Sequence, residues 1–247
     1  MAFQTVFKRY ELKYILTTEQ KERVLAAMTP YMNLDEYRRT TIRNLYFDTD
    51  TYLLIRRSIE KPTYKEKLRI RSYSKADADS TVFVELKKKY KCVVYKRRMP
   101  LPEAEAIKWL SGEKHTEKHT QISNEIDYFM ELYGTLHPTV FLSYEREAYY
   151  SNDGSNFRVT FDDNILCRQE DLSLQSDAYG TQILPRGKVL MEIKCSGGIP
   201  LWMTEVLSRE KIYKTSFSKY GTAYRTLIFP QNHKMNSYNM LEVTQNA

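Results

Sequence analysis

The sequence is poor in residues that break, bend or cross-link a chain. Its 247 residues include only eight glycines and eight prolines, which points to long regular elements with few extended loops. Cysteine occurs three times, as Cys92, Cys167 and Cys195. These are far apart, odd in number and outside any CxxC or Cys/His cluster. They argue against a disulfide framework and a zinc site, and fit reduced thiols in a cytoplasmic protein. No run approaches 18 apolar residues, so no membrane-spanning helix is expected. The opening MAFQTVFKRYELKY lacks the apolar stretch of a secretory signal. Positive charge, by contrast, is in surplus: 38 Lys and Arg stand against 31 Asp and Glu, a net charge of +7. That balance favours an acidic partner: nucleic acid, anionic lipid or phosphorylated small molecules. The two signs are interleaved, which excludes a disordered basic tail.

The charge is also patterned. In 81–90, TVFVELKKKY, Val82, Val84 and Leu86 alternate with Glu85, Lys87 and Lys89. The same alternation places Arg9, Glu11 and Lys13 together in 7–14, and Lys65, Lys67, Arg69 and Arg71 in 64–73. It recurs with Arg158 and Asp162 in 156–163, and with Lys188, Glu192 and Lys194 in 188–195. A strand alternates faces with period two, so each segment is a strand with one ionic face.

Strands are predicted at 5–15, 41–48, 64–73, 81–90, 91–99, 139–150, 156–163, 165–168 and 187–195. Thr17 and Gln20 form a capping-box pattern that opens a helix ending near Pro30. Further helices are predicted at 51–59, 102–111, 121–133, 200–209 and 217–228, with a loop at 169–186. Neither a repeat nor a linker appears, so 1–230 reads as one domain and 231–247 as a polar tail. The predicted fold is α+β: an antiparallel β-barrel of about eight strands forming a tunnel, with helices packed outside.

The ionic faces are expected to point inward. The amphipathic helices need an apolar sheet face to cover, and Leu68, Ile70, Val82, Val84, Leu86, Val189, Met191 and Ile193 supply it. Arg and Lys two apart on neighbouring strands repel one another. An anion, or a metal–anion complex, relieves that repulsion. Dry burial of so much charge is too costly, so a water-filled tunnel is the consistent geometry. Arg69 and Arg71 can grip phosphate oxygens as bidentate forks, and Lys13, Lys87 and Lys194 add compact charge. Glu11, Glu85 and Glu192 either pair with lysines or hold Mg²⁺ or Mn²⁺ through oxygen. In the run Lys87–Lys91 only Lys87 and Lys89 share the lumen face. His115 and His119 read as solvated side chains, and Trp109 and Trp202 as helix residues packed on the barrel.

Taken together, these segments resemble the polyphosphate polymerase (VTC) domain of the triphosphate tunnel metalloenzyme superfamily. The resemblance rests on Arg9–Tyr14 (RYELKY), Tyr46–Thr49 (YFDT), Lys67–Arg71 (KLRIR), Val84–Lys87 (VELK) and Tyr95–Arg98 (YKRR). In the second half it rests on Tyr144–Tyr149 (YEREAY), Arg158–Asp162 (RVTFD), Met191–Lys194 (MEIK) and Ser218–Tyr220 (SKY). It implies a tunnel whose basic lumen binds a nucleotide triphosphate with Mn²⁺ or Mg²⁺. The activity it implies is transfer of the γ-phosphoryl group of ATP to a phosphate or polyphosphate chain. Arg69, Arg71, Arg146 and Lys219 are the implied catalytic cations. Lys13, Lys67, Lys87, Lys96, Arg158 and Lys194 complete the phosphate-binding set. Glu192 is the implied metal ligand, with Glu11 and Glu85 as acidic support. Arg9 stands where the wider superfamily often has a glutamate, as in the polymerase branch. The fused regulatory domain and membrane segment of eukaryotic polymerases have no counterpart in this sequence, so any membrane partner is expected to be a separate protein. Two alternatives share the fold: a tunnel triphosphatase, and a non-catalytic polyphosphate-binding module. A nucleic-acid binder is not expected, because no recognised binding motif accompanies the basic charge.

Overall fold

The computed structural model describes residues 6–113, 116 and 119–230. The expected polar tail 231–247 and His115 lie outside the described residues. In chain order the elements are β1 (Val6–Thr17), α1 (Thr18–Met28), β2 (Met32–Asp48), α2 (Leu53–Ile59), β3 (Tyr64–Ser72), β4 (Thr81–Tyr90) and β5 (Val93–Pro102). Next come α3 (Glu103–Leu110), α4 (Gln121–Tyr133), β6 (His137–Ser151), β7 (Arg158–Arg168), β8 (Thr181–Gln182) and β9 (Lys188–Cys195). The chain then forms α5 (Leu201–Arg209), β10 (Lys214–Thr215) and α6 (Lys219–Ala223), which runs on as a π-helical turn, Tyr224–Ile228.

Eight strands close into a hydrogen-bonded ring in the order β1-β5-β4-β3-β2-β6-β7-β9 and back to β1, every pair antiparallel. β1 makes the closure. Its first half, Val6 to Tyr10, pairs with β5, and its second, Tyr10 to Thr17, pairs with β9. β8 and β10 are two-residue additions on β7 and β1. Too short to show a period, they carried no sequence signal.

The helices cover the apolar outer face as expected. Trp109 and Leu110 of α3 and Ile126 and Phe129 of α4 pack on Leu68, Ile70, Val82, Val84 and Leu86. Val24 and Met28 of α1 and Met203 and Val206 of α5 pack on Val159, Phe161, Val189, Met191 and Ile193. Trp202 stacks on Tyr31, with ring centroids 4.7 Å apart. The capping box forms: the Gln20 amide donates to the Thr17 hydroxyl at 3.2 Å, and the Thr17 amide donates to the Gln20 side chain at 3.0 Å. α2 and α6 have a second role. They pack with Ile42, Tyr46, Leu142, Tyr144 and Leu190 and contribute to the lumen wall.

Several boundaries differ from expectation. β2 begins at Met32 instead of 41, because residues 32–40 form a largely exposed ribbon without an apolar period. That ribbon is held by its ladder to β6, which breaks between Leu34 and Arg39; Arg38 there has φ +49°. The strands expected at 156–163 and 165–168 are one strand. Asn164, at φ +45°, absorbs a register shift as a bulge within β7. β5 starts only at Val93, since Lys91 and Cys92 make a two-residue hairpin turn with Lys91 at φ +50°.

Candidate active site

The register brings the ionic faces together. Residues directly opposite in an antiparallel ladder share a face. Lys13 lies opposite Glu192, Glu11 opposite Lys194, Arg69 opposite Glu85, Lys67 opposite Lys87, Lys87 opposite Lys96, and Arg146 opposite Asp162. They surround a cavity of about 510 Å³ lined by fifteen lysines and arginines against two carboxylates, Glu11 and Glu192. Lys88, by contrast, points outward and reaches Glu125 at 3.5 Å.

Two buried carboxylates anchor the cations from behind. Glu85, with no exposed side-chain surface, accepts Arg69 Nη2 at 2.6 Å and Lys96 Nζ at 3.1 Å, and lies 3.9 Å from Arg71. Arg69 also donates to the Tyr46 hydroxyl at 2.7 Å. Arg71 donates to Asn44 Oδ1 and to the Tyr144 hydroxyl, both at 3.0 Å. Asp162, equally buried, accepts Arg146 through both oxygens at 2.6 and 2.7 Å, and Lys219 at 2.5 Å. Glu192 sits in the lumen among Lys194 at 3.2 Å, Lys13 and Lys219 at 3.4 Å, and Arg146 at 3.6 Å. Glu11 pairs with Lys87 at 2.8 Å.

These pairs set the protonation states. Burial pushes the Glu85 carboxyl up, but Arg71, Lys96 and Arg69 outweigh it and hold it well below the usual range. Burial likewise opposes ionisation of Glu192, which Lys219, Lys13, Lys194 and Arg146 hold well below that range. Lys96 and Lys194 are lowered as well, which for an amine disfavours the charged form. Burial lowers Lys96 to about 7, Glu85 only partly offsetting it, and burial with Arg146 carries Lys194 well below its ordinary value. A lumen of under-neutralised cations is a site built for a polyanion.

Arg69, Arg71, Arg146, Lys219, Lys13, Lys67, Lys87, Lys96, Lys194, Glu192 and Glu11 all line the cavity. Glu85 stands one layer behind it. Arg158 does not join the lining: its guanidinium lies 2.9 Å from Asp35 and is 42% exposed. Sequence reasoning gave no role to Asp162, Asn44, Tyr46 or Tyr144. Asp162 had a usable signal, as an acid on the same strand face as predicted lumen residues. The other three sit on strands whose lumen faces are mostly apolar or neutral.

No group of three or more His, Cys, Asp or Glu able to hold a metal occurs among the described residues. The donors present are the oxygens of Glu192 and Glu11. They fit a Mg²⁺- or Mn²⁺-type ion held by one or two carboxylates and completed by substrate phosphates and water, not an all-protein cage.

A closed antiparallel ring around an ionic bore defines a tunnel fold. The VTC domain profile matches residues 8–228, and the chain belongs to that family. Solved structures show the same architecture. A Bacillus halodurans protein named as an adenylate cyclase superposes with a TM-score of 0.55 at 16% identity, covering 91% of this chain and 100% of its own. A Hippeastrum protein named as an adenylyl cyclase, and described as showing a dominant triphosphatase activity, gives 0.52 at 18% identity over 88% and 95%. These likenesses establish the fold. No match was found among curated proteins. Among the described residues, no helix is long and apolar enough to cross a membrane.

Proposed function

We propose that the protein is a polyphosphate polymerase that transfers the γ-phosphoryl group of ATP to a phosphate or polyphosphate end inside the tunnel. The observation that carries this reading is the convergence of Arg69, Arg71 and Arg146 on one lumen, held by Glu85 and Asp162 from behind. Phosphoryl transfer asks for positioning and charge neutralisation more than covalent chemistry. A terminal oxygen of the acceptor forms the new bond to the γ-phosphorus, and the bond to the β-phosphate bridging oxygen breaks to release ADP. The acceptor oxygen is already ionised, so no strong base is needed. Arg69, Arg71 and Arg146 face the equatorial oxygens, while Lys13, Lys87, Lys96, Lys194 and Lys219 align the flanking phosphates. When bound, a divalent ion adds charge neutralisation, and Glu192 with Glu11 would hold it.

The test is a product assay with ATP and Mn²⁺, primed and unprimed by pyrophosphate. A product degraded by exopolyphosphatase is expected. Orthophosphate or pyrophosphate alone would instead identify a tunnel triphosphatase, the second reading, which the activity described for the Hippeastrum structure supports. Glu192→Ala is expected to abolish metal-dependent turnover while circular dichroism shows an intact fold.

A further inference from the structure

Lys67 differs from the other lysines deep in the cavity. Lys13, Lys87, Lys96, Lys194 and Lys219 each lie within 3.4 Å of a carboxylate oxygen. Lys67 donates instead to a neutral acceptor, the Ser218 hydroxyl, at 3.0 Å, and its ammonium lies 5.8 Å from the Tyr220 ring centroid. No ion pair links it to a carboxylate among the described residues.

The charged groups around it are cations on every side. Lys65 and Arg69 flank it on β3, Lys87 lies opposite on β4, and Lys13 acts on it from β1. Lys96 of β5 follows beyond Lys87 in register, and Lys219 follows Ser218 at the start of α6. The carboxylates of this region are engaged elsewhere: Glu11 by Lys87, and Glu192 by Lys13, Lys194, Lys219 and Arg146. Lys65, likewise without a carboxylate partner among the described residues, has the Ser58 carbonyl at 2.9 Å.

We infer that Lys67 sheds its proton in the empty cavity and regains it when a phosphate enters, so that the tunnel binds its polyanion together with a proton. This rests on the phosphate-tunnel reading above and adds the linkage to it. Burial, then Lys13, Lys65, Lys87 and Arg69, push the Lys67 ammonium well below its ordinary value of 10.5. A phosphate oxygen supplies the counter-charge that the protein withholds and restores the proton. The sign follows directly. Between the free and the phosphate-bound pKa of Lys67, raising the pH weakens binding, by at most about tenfold per pH unit for one linked proton.

The experiment is calorimetric titration with inorganic tripolyphosphate at a series of pH values from about 6 to 10, without divalent metal, in buffers of different ionisation enthalpy. The number of protons taken up is compared between the native protein and Lys67→Arg, whose guanidinium stays charged throughout. Protons exchanged by the ligand itself, and by Lys96 and Lys194, are common to both. Net uptake should be lower in Lys67→Arg, by up to about one proton per bound ligand. Lys67→Met removes the titrating group by a second route and should show the same deficit, with its fold checked by thermal melting. Equal proton uptake in the native protein and in either folded variant overturns the inference while leaving the phosphate tunnel standing. If the native protein does not bind tripolyphosphate at all, the phosphate-tunnel reading itself fails.

Discussion

Asp162 shows how the lumen keeps its charge without a ligand. Its carboxylate has no exposed surface, yet it fixes a bidentate arginine and a lysine that both face the cavity. Removing it leaves two cations with a buried counter-charge missing. Asp162→Ala is therefore expected to cost about 3–5 kcal/mol in stability, read by urea unfolding; a loss below about 1 kcal/mol, the scale of an exposed ion pair, would remove its anchoring role. Arg71 is the opposite case. It is only 3.9 Å from Glu85 and otherwise held by neutral acceptors, so its charge is the least compensated of the three arginines. Arg71→Ala is expected to slow turnover on the order of 10²-fold or more while circular dichroism shows the fold retained; unchanged turnover would take Arg71 out of the site. The lumen cations were legible in the sequence because a period of two assigns a face. It does not assign depth. Arg158 shares a face with Thr160 and Asp162 but pairs with Asp35 instead of lining the bore, and the same pattern gave Asp162 no role where the structure makes it an anchor.

At the scale of elements, Asp48 ties two helices to the ring. Its buried carboxylate accepts the amides of Leu54 and Ile55 at the start of α2, at 2.9 and 3.0 Å, and the Tyr220 hydroxyl of α6 at 2.9 Å. Tyr220 in turn stacks on Tyr46, which holds Arg69. Asp48→Ala leaves these donors unsatisfied, at about 1–3 kcal/mol for each buried one. It should lower the melting temperature and, by loosening α6, displace Lys219 and raise KM for ATP; a drop in stability with unchanged KM would confine Asp48 to a structural role. Elements with a strong period were readable in outline: β3, β4, β9 and the helices that cover them. The ends of β2 and β7 were not. Arg38 and Asn164 take left-handed backbone, so the chain continues through a bulge where the residue pattern suggests a stop.

For the molecule as a whole, two opposite pH trends follow from the lumen. Glu85, Glu192 and Asp162 have folded pKa values held below their unfolded values, chiefly by neighbouring cations against the pull of burial. Their stabilisation is present above the unfolded carboxylate values, 4.5 for the two glutamates and 3.8 for Asp162, and is lost as pH falls through the folded ones. Lys96, lowered to about 7 mainly by burial, opposes the fold while charged, so stability gained from it rises between about 7 and 10.5. Thermal melts from pH 3 to 10 should climb steeply out of acid and keep rising gently past neutrality. A maximum near pH 5 with a decline above it would contradict that balance.

The closure made by β1 has a mechanical meaning. A sheet with a free edge can splay, and a groove can receive a polymer anywhere along its length. A hoop laced by backbone hydrogen bonds on both sides of every strand can do neither. Its calibre is set by strand number and stagger, and lifting β1 away would unzip eight register pairs with β9. A long guest must therefore arrive tip first, like thread at a needle's eye. A linear chain can present such a tip, whereas a cyclic one of equal charge has none to offer.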